Sequence, residues 1–554
     1  MTNQTSAAAI PAMAKPPTAP AASAPPRPAL PAASSGQAAP AAPAQATPAQ
    51  ATPAQARPAQ AAPAQAAPAQ ATPGAQGGQS TPAQPAAQQP MLPGPETPDQ
   101  ALTRALAAAK LRRIHEAMGI CRDVLAAVPD MPGALGLLGG ILGQEGRPDE
   151  AIPLLEAAIA RQPAVANWHL NLCALYRAKN RLDDALRAGL EAVRYSPDTA
   201  NHRVELALTY LGRGERDLAA RHFREGIGRE PESAAAHMGL GELLLSLGDY
   251  LPGWMEYAWR NKLDQARGTL PKMTAAAWNG MRIPEGRILL VADQGFGDMI
   301  QFARYIPRVR ERVPNLIIGW GPEVTALLGD HPDIAACIPR WADVPPHDAY
   351  VLLSSLPQIF GTELHSIPWS GPYMAMKPDR IARWRQRLDA ACRPGRLRVG
   401  IAWSGRPTHP NNARRSLRLQ ALAPILAHRD IEFVVLQKPF PEEDRAFAAT
   451  CPNLHIISDE LESFAETGAV IAGLDLVLAV DTAVVHLAGA MGAEAWVLVP
   501  EPADWRWLVG REDCVWYPSL RLFRQETPAD WAPVIARAAA ALRARAAAAG
   551  DGKG

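Results

Sequence analysis

Four columns of residues that recur every 34 positions limit what the first half of this chain can become. Pro129, Pro163, Pro197 and Pro231 form one column. Ala117, Ala151, Ala185 and Ala219 keep the same step, as do Leu138, Leu172, Leu206 and Leu240. Gly146, Gly214 and Gly248 share a fourth, with Asn180 as its single departure. Registers that agree on one period predict a unit of helix, short turn, second helix with a small residue at the crossing, and closing proline. A unit of that size cannot bury its apolar face alone, so successive units stack into a solenoid.

The period, the small-residue column and the closing proline resemble the tetratricopeptide repeat. About four full units run from residue 98 to 233, and a fifth begins at Ala234. The family's large residue early in the first helix is only loosely kept, as Leu135, His169 and Arg203. The second helix of the fifth unit departs from the pattern as GDYLPGWMEYAWR, Gly248–Arg260. Trp254, Tyr257 and Trp259 either cap the stack or dock it on the next domain. Docking is the expectation, because three aromatics on so short a stretch are costly in water. Repeats of this kind imply a groove for a peptide segment, against the plainer reading of a rigid spacer.

The repeats are preceded by a tract of Ala, Pro, Gln, Ser, Thr and Gly. Within it a P-A-Q-A-x unit places prolines at 43, 48, 53, 58, 63, 68 and 73. Such a segment has little to bury, and residues 1–97 are expected to be a disordered spacer. A chain of 554 residues needs more than one core, and a net charge of +1 points to neither nucleic acid nor anionic membrane. The six cysteines show no metal-ligand spacing, which suits a reducing compartment. The N-terminus lacks the apolar core of a signal peptide, and no stretch reads as a transmembrane segment, so the expected location is cytoplasmic.

Beyond Trp278 the pattern changes to alternating strand and helix. The expected strands are 287–292, 315–320, 350–353, 397–403, 431–436, 454–457, 474–480 and 494–499, with helices near 299–313, 417–428, 442–450, 463–472 and 482–491. This reads as two α/β units, 280–376 and 377–548, facing each other across a cleft, after repeats spanning 98–265. Four strand ends carry chemistry. Gln294, Gly295, Gly297 and Asp298 sit in a Gly-rich turn, where Asp298 either caps a helix starting at Met299 or serves as a general base. Ser404, Gly405, His409, Asn412, Arg415 and Ser416 crowd one loop after a strand, and Gln437-Lys438 ends a neighbouring one. Asp481-Thr482 ends the strand within LDLVLAVDTAVVHLAGAM and opens a helix bearing His486. Free N–H groups at such a helix start favour phosphate. The plain alternative makes Asp481 an N-cap and His486 a packing residue.

QGFGD at 294–298, the W-S-G…H…R-S run at 403–416, Gln437-Lys438, VDTAVVHLAGAMG at 480–492, ADWRW at 503–507 and WYPSLRLFRQ at 516–525 occur in this order behind the repeats. In this combination the chain resembles bacterial tetratricopeptide-repeat glycosyltransferases, with a catalytic part similar to the ADP-heptose:lipopolysaccharide heptosyltransferase family. The resemblance implies a GT-B fold of two Rossmann-like domains. It makes Asp298 the base toward the acceptor hydroxyl, and places Ser404, His409, Arg415, Lys438 and Thr482 around a nucleotide-sugar donor. Two positions depart from the family: Asn412 and Asp293 stand where it usually has an acid and a Glu. Since no Asp-x-Asp occurs, a metal-held diphosphate is disfavoured. No metal or cofactor is expected beyond the nucleotide sugar as substrate. The partners expected are that donor and a protein or glycan acceptor chosen by the repeats. The alternatives are a non-catalytic scaffold, or a sugar-nucleotide epimerase or hydrolase on the same fold.

Overall fold

The computed structural model describes residues 96–263, 273–319, 321–329, 331–407 and 411–551. The tract up to residue 95 and His409 lie outside the described residues.

The repeats form five helical hairpins: α1 Pro98–Lys110 with α2 Ile114–Ala127, α3 Pro132–Gln144 with α4 Pro148–Arg161, α5 Ala166–Ala178 with α6 Leu182–Tyr195, α7 Ala200–Gly212 with α8 Arg216–Arg229, and α9 Ala234–Ser246 with α10 Tyr250–Tyr257. Each column now has a cause. The four alanines are fully buried where two helices cross, and the four leucines are buried beside them. The turn column has positive φ throughout: 73° at Gly146, 57° at Asn180, 77° at Gly214 and 84° at Gly248. Glycine holds that conformation without a Cβ penalty, and Asn tolerates it better than most residues. The same position one unit earlier is Arg112, at 60°.

After Leu135, which is buried in the core, the loosely kept large-residue column becomes a polar anchor. His169 Nε2 donates to the carbonyl of Pro163 at 2.7 Å, Arg203 Nε to that of Pro197 at 3.2 Å, and His237 Nε2 to that of Pro231 at 2.9 Å. Each binds the carbonyl of the proline that closes the preceding unit, an acceptor otherwise left open beyond a helix end. Odd-numbered helices pack successively on one another and form the inner layer of the array.

The first sheet contains β1 Ala276–Ala277, β2 Arg287–Val291, β3 Asn315–Gly319, β4 Ala336–Ile338 and β5 Ala349–Leu352, in the spatial order β1-β5-β2-β3-β4. The second contains β6 Leu397–Ala402, β7 Ile431–Val435, β8 Leu454–Ile456, β9 Leu476–Val480, β10 Ala495–Val499 and β11 Leu520–Arg524, in the order β11-β10-β9-β6-β7-β8. All these pairings are parallel. Strands β7, β9 and β10 are buried along their whole length, as expected where helices cover both faces of a parallel sheet.

Several expectations change in detail. β9 starts at Leu476, because Asp475 Oδ2 instead accepts the N–H of Arg398 at 2.7 Å. The helix expected over 299–313 is split into α11, Phe296–Ala303, and a short turn of helix at Ile306–Arg310 with Pro307 in its first turn. The 417–428 helix is reduced to a 3-10 turn at Leu419–Leu422 and four residues at Ala423–Leu426, with Pro424 at the junction. The short strand β4 and the edge strand β11, where charged Arg521 and Arg524 interrupt the apolar run, were not expected. Ser463 caps the helix Phe464–Ile471 by accepting the Glu466 N–H at 3.4 Å, while the Glu466 side chain turns to Arg380, Arg383 and Trp384.

Docking of the repeats is confirmed for two of the three aromatics. Trp254 and Tyr257 join one continuous apolar core with Trp505, Trp516 and the first sheet. Trp254 packs edge-on against Trp505 with ring centres 5.2 Å apart, and its Nε1 donates to the carbonyl of Thr362 at 2.9 Å. Trp259 stays with the array, stacked on His237 at 3.8 Å beneath the Lys262 ammonium.

Candidate functional site

In each sheet the strand order reverses beside one strand. β2 is flanked by β5 and β3, and β6 by β9 and β7. The crevice beyond the carboxyl ends at such a switch point is where open α/β sheets take ligands. Three of the sequence-selected segments leave from those ends: residues 292–298 after β2, 403–417 after β6, and 481–482 after β9. Ala402 pairs with Ala479, so the last two emerge side by side.

The two sheets meet through helices. α11 packs on the helix Ala483–Ala490 that follows β9. Gly297 permits this contact, since a Cβ there would lie 2.8 Å from His486 Cδ2. His486 is buried, with Nδ1 3.0 Å from Tyr517 Oη and its ring stacked on Trp507. Burial and then the charge of Arg506 push it down to about 3, so it is a neutral packing and hydrogen-bonding group at neutral pH.

Asp298 is not the cap of a helix starting at Met299. The helix begins at Phe296, with Gly295 as N-cap, and Asp298 sits in its first turn, where Oδ2 accepts the Gly295 N–H at 2.9 Å. Its Oδ1 accepts from Arg506 Nη2. Arg506 also donates from Nε to Gln301 Oε1 at 2.8 Å, and from Nη1 to both oxygens of Asp504 at 2.9 and 3.1 Å. Burial raises the Asp298 carboxyl even though Arg506 opposes it. Burial also draws Asp504 upward, but Arg506 outweighs it and leaves that carboxyl below the usual range. Gln294 Oε1 accepts from the hydroxyl of Tyr257 at 3.3 Å, so the repeats touch this strand end directly.

The loop after β6 is knotted on itself. Gly405 N–H donates to Ser416 Oγ at 3.0 Å, Ser404 Oγ lies 3.3 Å from Ser416 Oγ, and the Asn412 side-chain amide is 2.8 Å from it. Beneath, Gln437 Oε1 accepts the N–H groups of Ser404 at 2.9 Å and Trp403 at 3.2 Å. Ser416 and Gln437 therefore shape the loop. A Cβ on Gly405 would lie 2.9 Å from Arg415 Nε, so this glycine leaves room for that guanidinium. Arg415 Nη1 is 3.8 Å from Asp481 Oδ2. Asp481 is not the N-cap of the following helix; Thr482 is. The Asp481 carboxyl is buried and pushed up to about 6, by burial and then by Asp504, against Arg415. Among the described residues, Arg415 Nε and Thr482 Oγ1 are buried with no hydrogen-bond partner.

Lys438 lies apart from this group, its ammonium donating to the carbonyl of Leu461. Away from the crevice, folding brings Cys392, Glu432 and His455 together with ligand atoms within 4.8 Å of one another. Arg393 takes one oxygen of Glu432, and His455 Nε2 lies 2.6 Å from the other. The sequence reading passed over Arg506, Asp504 and Gln301, although ADWRW contains two of them.

The sequence profile of the tetratricopeptide repeat matches residues 142–203 and again 204–251. The helical array is built of tetratricopeptide repeats. Protein FlbA of Caulobacter vibrioides is 26% identical over 325 residues, covering 54% of this chain and 54% of that protein. The chain thus spans about half the length of this curated relative. Among solved structures, a thermophilic TPR protein of Thermus thermophilus is 23% identical, covering 31% of this chain and 93% of that one at a TM-score of 0.28. Pseudomonas aeruginosa PilF is 19% identical, covering 31% and 77% at a TM-score of 0.28. Within the described residues no helix is long and apolar enough to cross a membrane.

Proposed function

We propose that this chain is a glycosyltransferase of GT-B type, which moves a sugar from a nucleotide-sugar donor to an acceptor selected by its repeats. The observation that carries the reading is the convergence of both switch points on one crevice, with two buried donors left open there. Arg415 Nε and Thr482 Oγ1 have no partner among the described residues, and buried polar groups are ordinarily satisfied. Beside them is the start of the Ala483–Ala490 helix, whose first turn receives no side-chain cap from Thr482. A diphosphate offers acceptors to all three, and the guanidinium adds a charge-assisted bond. In this reading Arg415, Thr482 and the helix amides hold the donor's phosphates and stabilise the charge that grows on the leaving group. Ser404 and Gly405 line the same side, while Ser416 and Gln437 keep the loop in shape. Lys438 would join only after leaving the carbonyl of Leu461.

The inner layer of the array leads into the crevice at α9, which supports an acceptor delivered along the repeats. A purely scaffolding role would leave the two open donors without purpose. Screening a panel of nucleotide sugars by thermal shift tests the reading. At least one member is expected to raise the melting temperature, and no response to any member would count against it.

A further inference from the structure

We infer that Glu242, a residue of the repeats, is the group that takes the acceptor's proton; the inference rests on the glycosyltransferase reading. The helix that carries it, α9, packs against the turn Trp505–Trp507. From there Glu242 faces Asp504 and Arg506 of that segment and Tyr257 of α10. Tyr257 in turn reaches Gln294, and Arg506 reaches Asp298. Glu242, from the repeats, and Asp298, from the first sheet, are therefore linked through the same Arg506 guanidinium.

Their states differ. Both oxygens of Asp298 are engaged, one by the Gly295 N–H and one by the Arg506 guanidinium. Burial raises this carboxyl as well, but with both oxygens already held it presents no free oxygen to an acceptor hydroxyl. Among the described residues, nothing donates a hydrogen bond to Glu242 and no cation pairs with it, and its side chain is only partly buried. Burial first, and then Asp504, raise it to about 7 against the pull of Arg506. A base works best with an open lone pair and a pKa near the working pH, and Glu242 meets both conditions. In the step, the acceptor oxygen bonds to the anomeric carbon while its hydrogen passes to Glu242 as a proton. The bond from the anomeric carbon to the diphosphate oxygen breaks, and its electron pair leaves with the nucleoside diphosphate. Asp298 then acts as a positioning residue that anchors Arg506.

The test uses the full chain with the nucleotide sugar that binds best from the panel, and follows nucleoside diphosphate release with water as acceptor. Glu242→Gln is expected to lower release on the order of a hundredfold or more. It should also remove the acidic limb of the pH profile near 7 and leave donor affinity unchanged. Asp298→Asn should keep that limb. In wild-type protein labelled with carboxyl-13C glutamate, the resonance missing from Glu242→Gln should titrate near 7. Release within tenfold of wild type, or a Glu242 carboxyl titrating below about 5, would overturn the inference while leaving the donor site standing. Binding of no nucleotide sugar by the wild-type chain would instead overturn the glycosyltransferase reading and this inference with it.

Discussion

Arg506 is the residue on which the crevice depends. It is buried, and its three guanidinium nitrogens donate to three side chains from two segments, Gln301, Asp298 and Asp504. Removing one side of a buried pair leaves uncompensated charge at a cost of about 3–5 kcal/mol. Arg506→Met strands two carboxylates at once, so urea denaturation should show a loss in that range. A loss below about 1 kcal/mol would mean that water already compensates Asp298 and Asp504. Glu242 gives a second residue-level prediction. Its folded pKa, about 7, lies above the ordinary 4.5, so the native state holds the proton more tightly. The wild type therefore loses stability relative to Glu242→Gln as pH rises from about 4.5 through 7. Paired thermal melts across that range should diverge in the variant's favour, and parallel curves would refute the placement of Glu242 in a low-dielectric space.

At the scale of elements, the positive-φ turn explains why one column of the repeat admits only Gly or Asn in four of its units. Arg112 is the misfit at 60°, where a residue with a Cβ is strained by about 1–2 kcal/mol. Arg112→Gly should stabilise the first hairpin by roughly 1 kcal/mol, less the added freedom of the unfolded chain. Hydrogen exchange of α1 and α2 reads this locally, and faster exchange in the variant would contradict it. The last hairpin behaves differently, because Trp254 belongs to the core shared with Trp505 and Trp516. Trp254→Ala should cost about 3–5 kcal/mol and loosen the sheets together with the repeats. Melting of the repeats alone would show that the junction is only a contact. The repeat was legible in the sequence because one interaction recurs in every unit. The split of the 299–313 helix and the edge strand β11 were not, because Pro307 breaks a helical pattern that looks continuous, and Arg521 and Arg524 interrupt the apolar run of a strand.

For the whole molecule, the alternation of strand and helix disclosed two parallel sheets, and the strand-end segments were recognisable by their polar crowding. Which of their residues face one another was not legible. Arg415 and Asp481 lie 66 positions apart, and Arg506 reaches Asp298 across 208. Such pairs are decided by strand order, and sequence spacing does not encode that order. Glu242 is the extreme case, since its place beside Arg506 depends on how the repeats dock. The central claim is that the crevice between the sheets holds a nucleotide sugar through Arg415. Calorimetric titration of the best-binding nucleotide sugar into wild type and Arg415→Ala tests it directly. The account predicts saturable one-to-one binding to the wild type and a loss of roughly 1.5–3 kcal/mol in the variant, the worth of a charge-assisted bond. Equal affinity in the two proteins would contradict it.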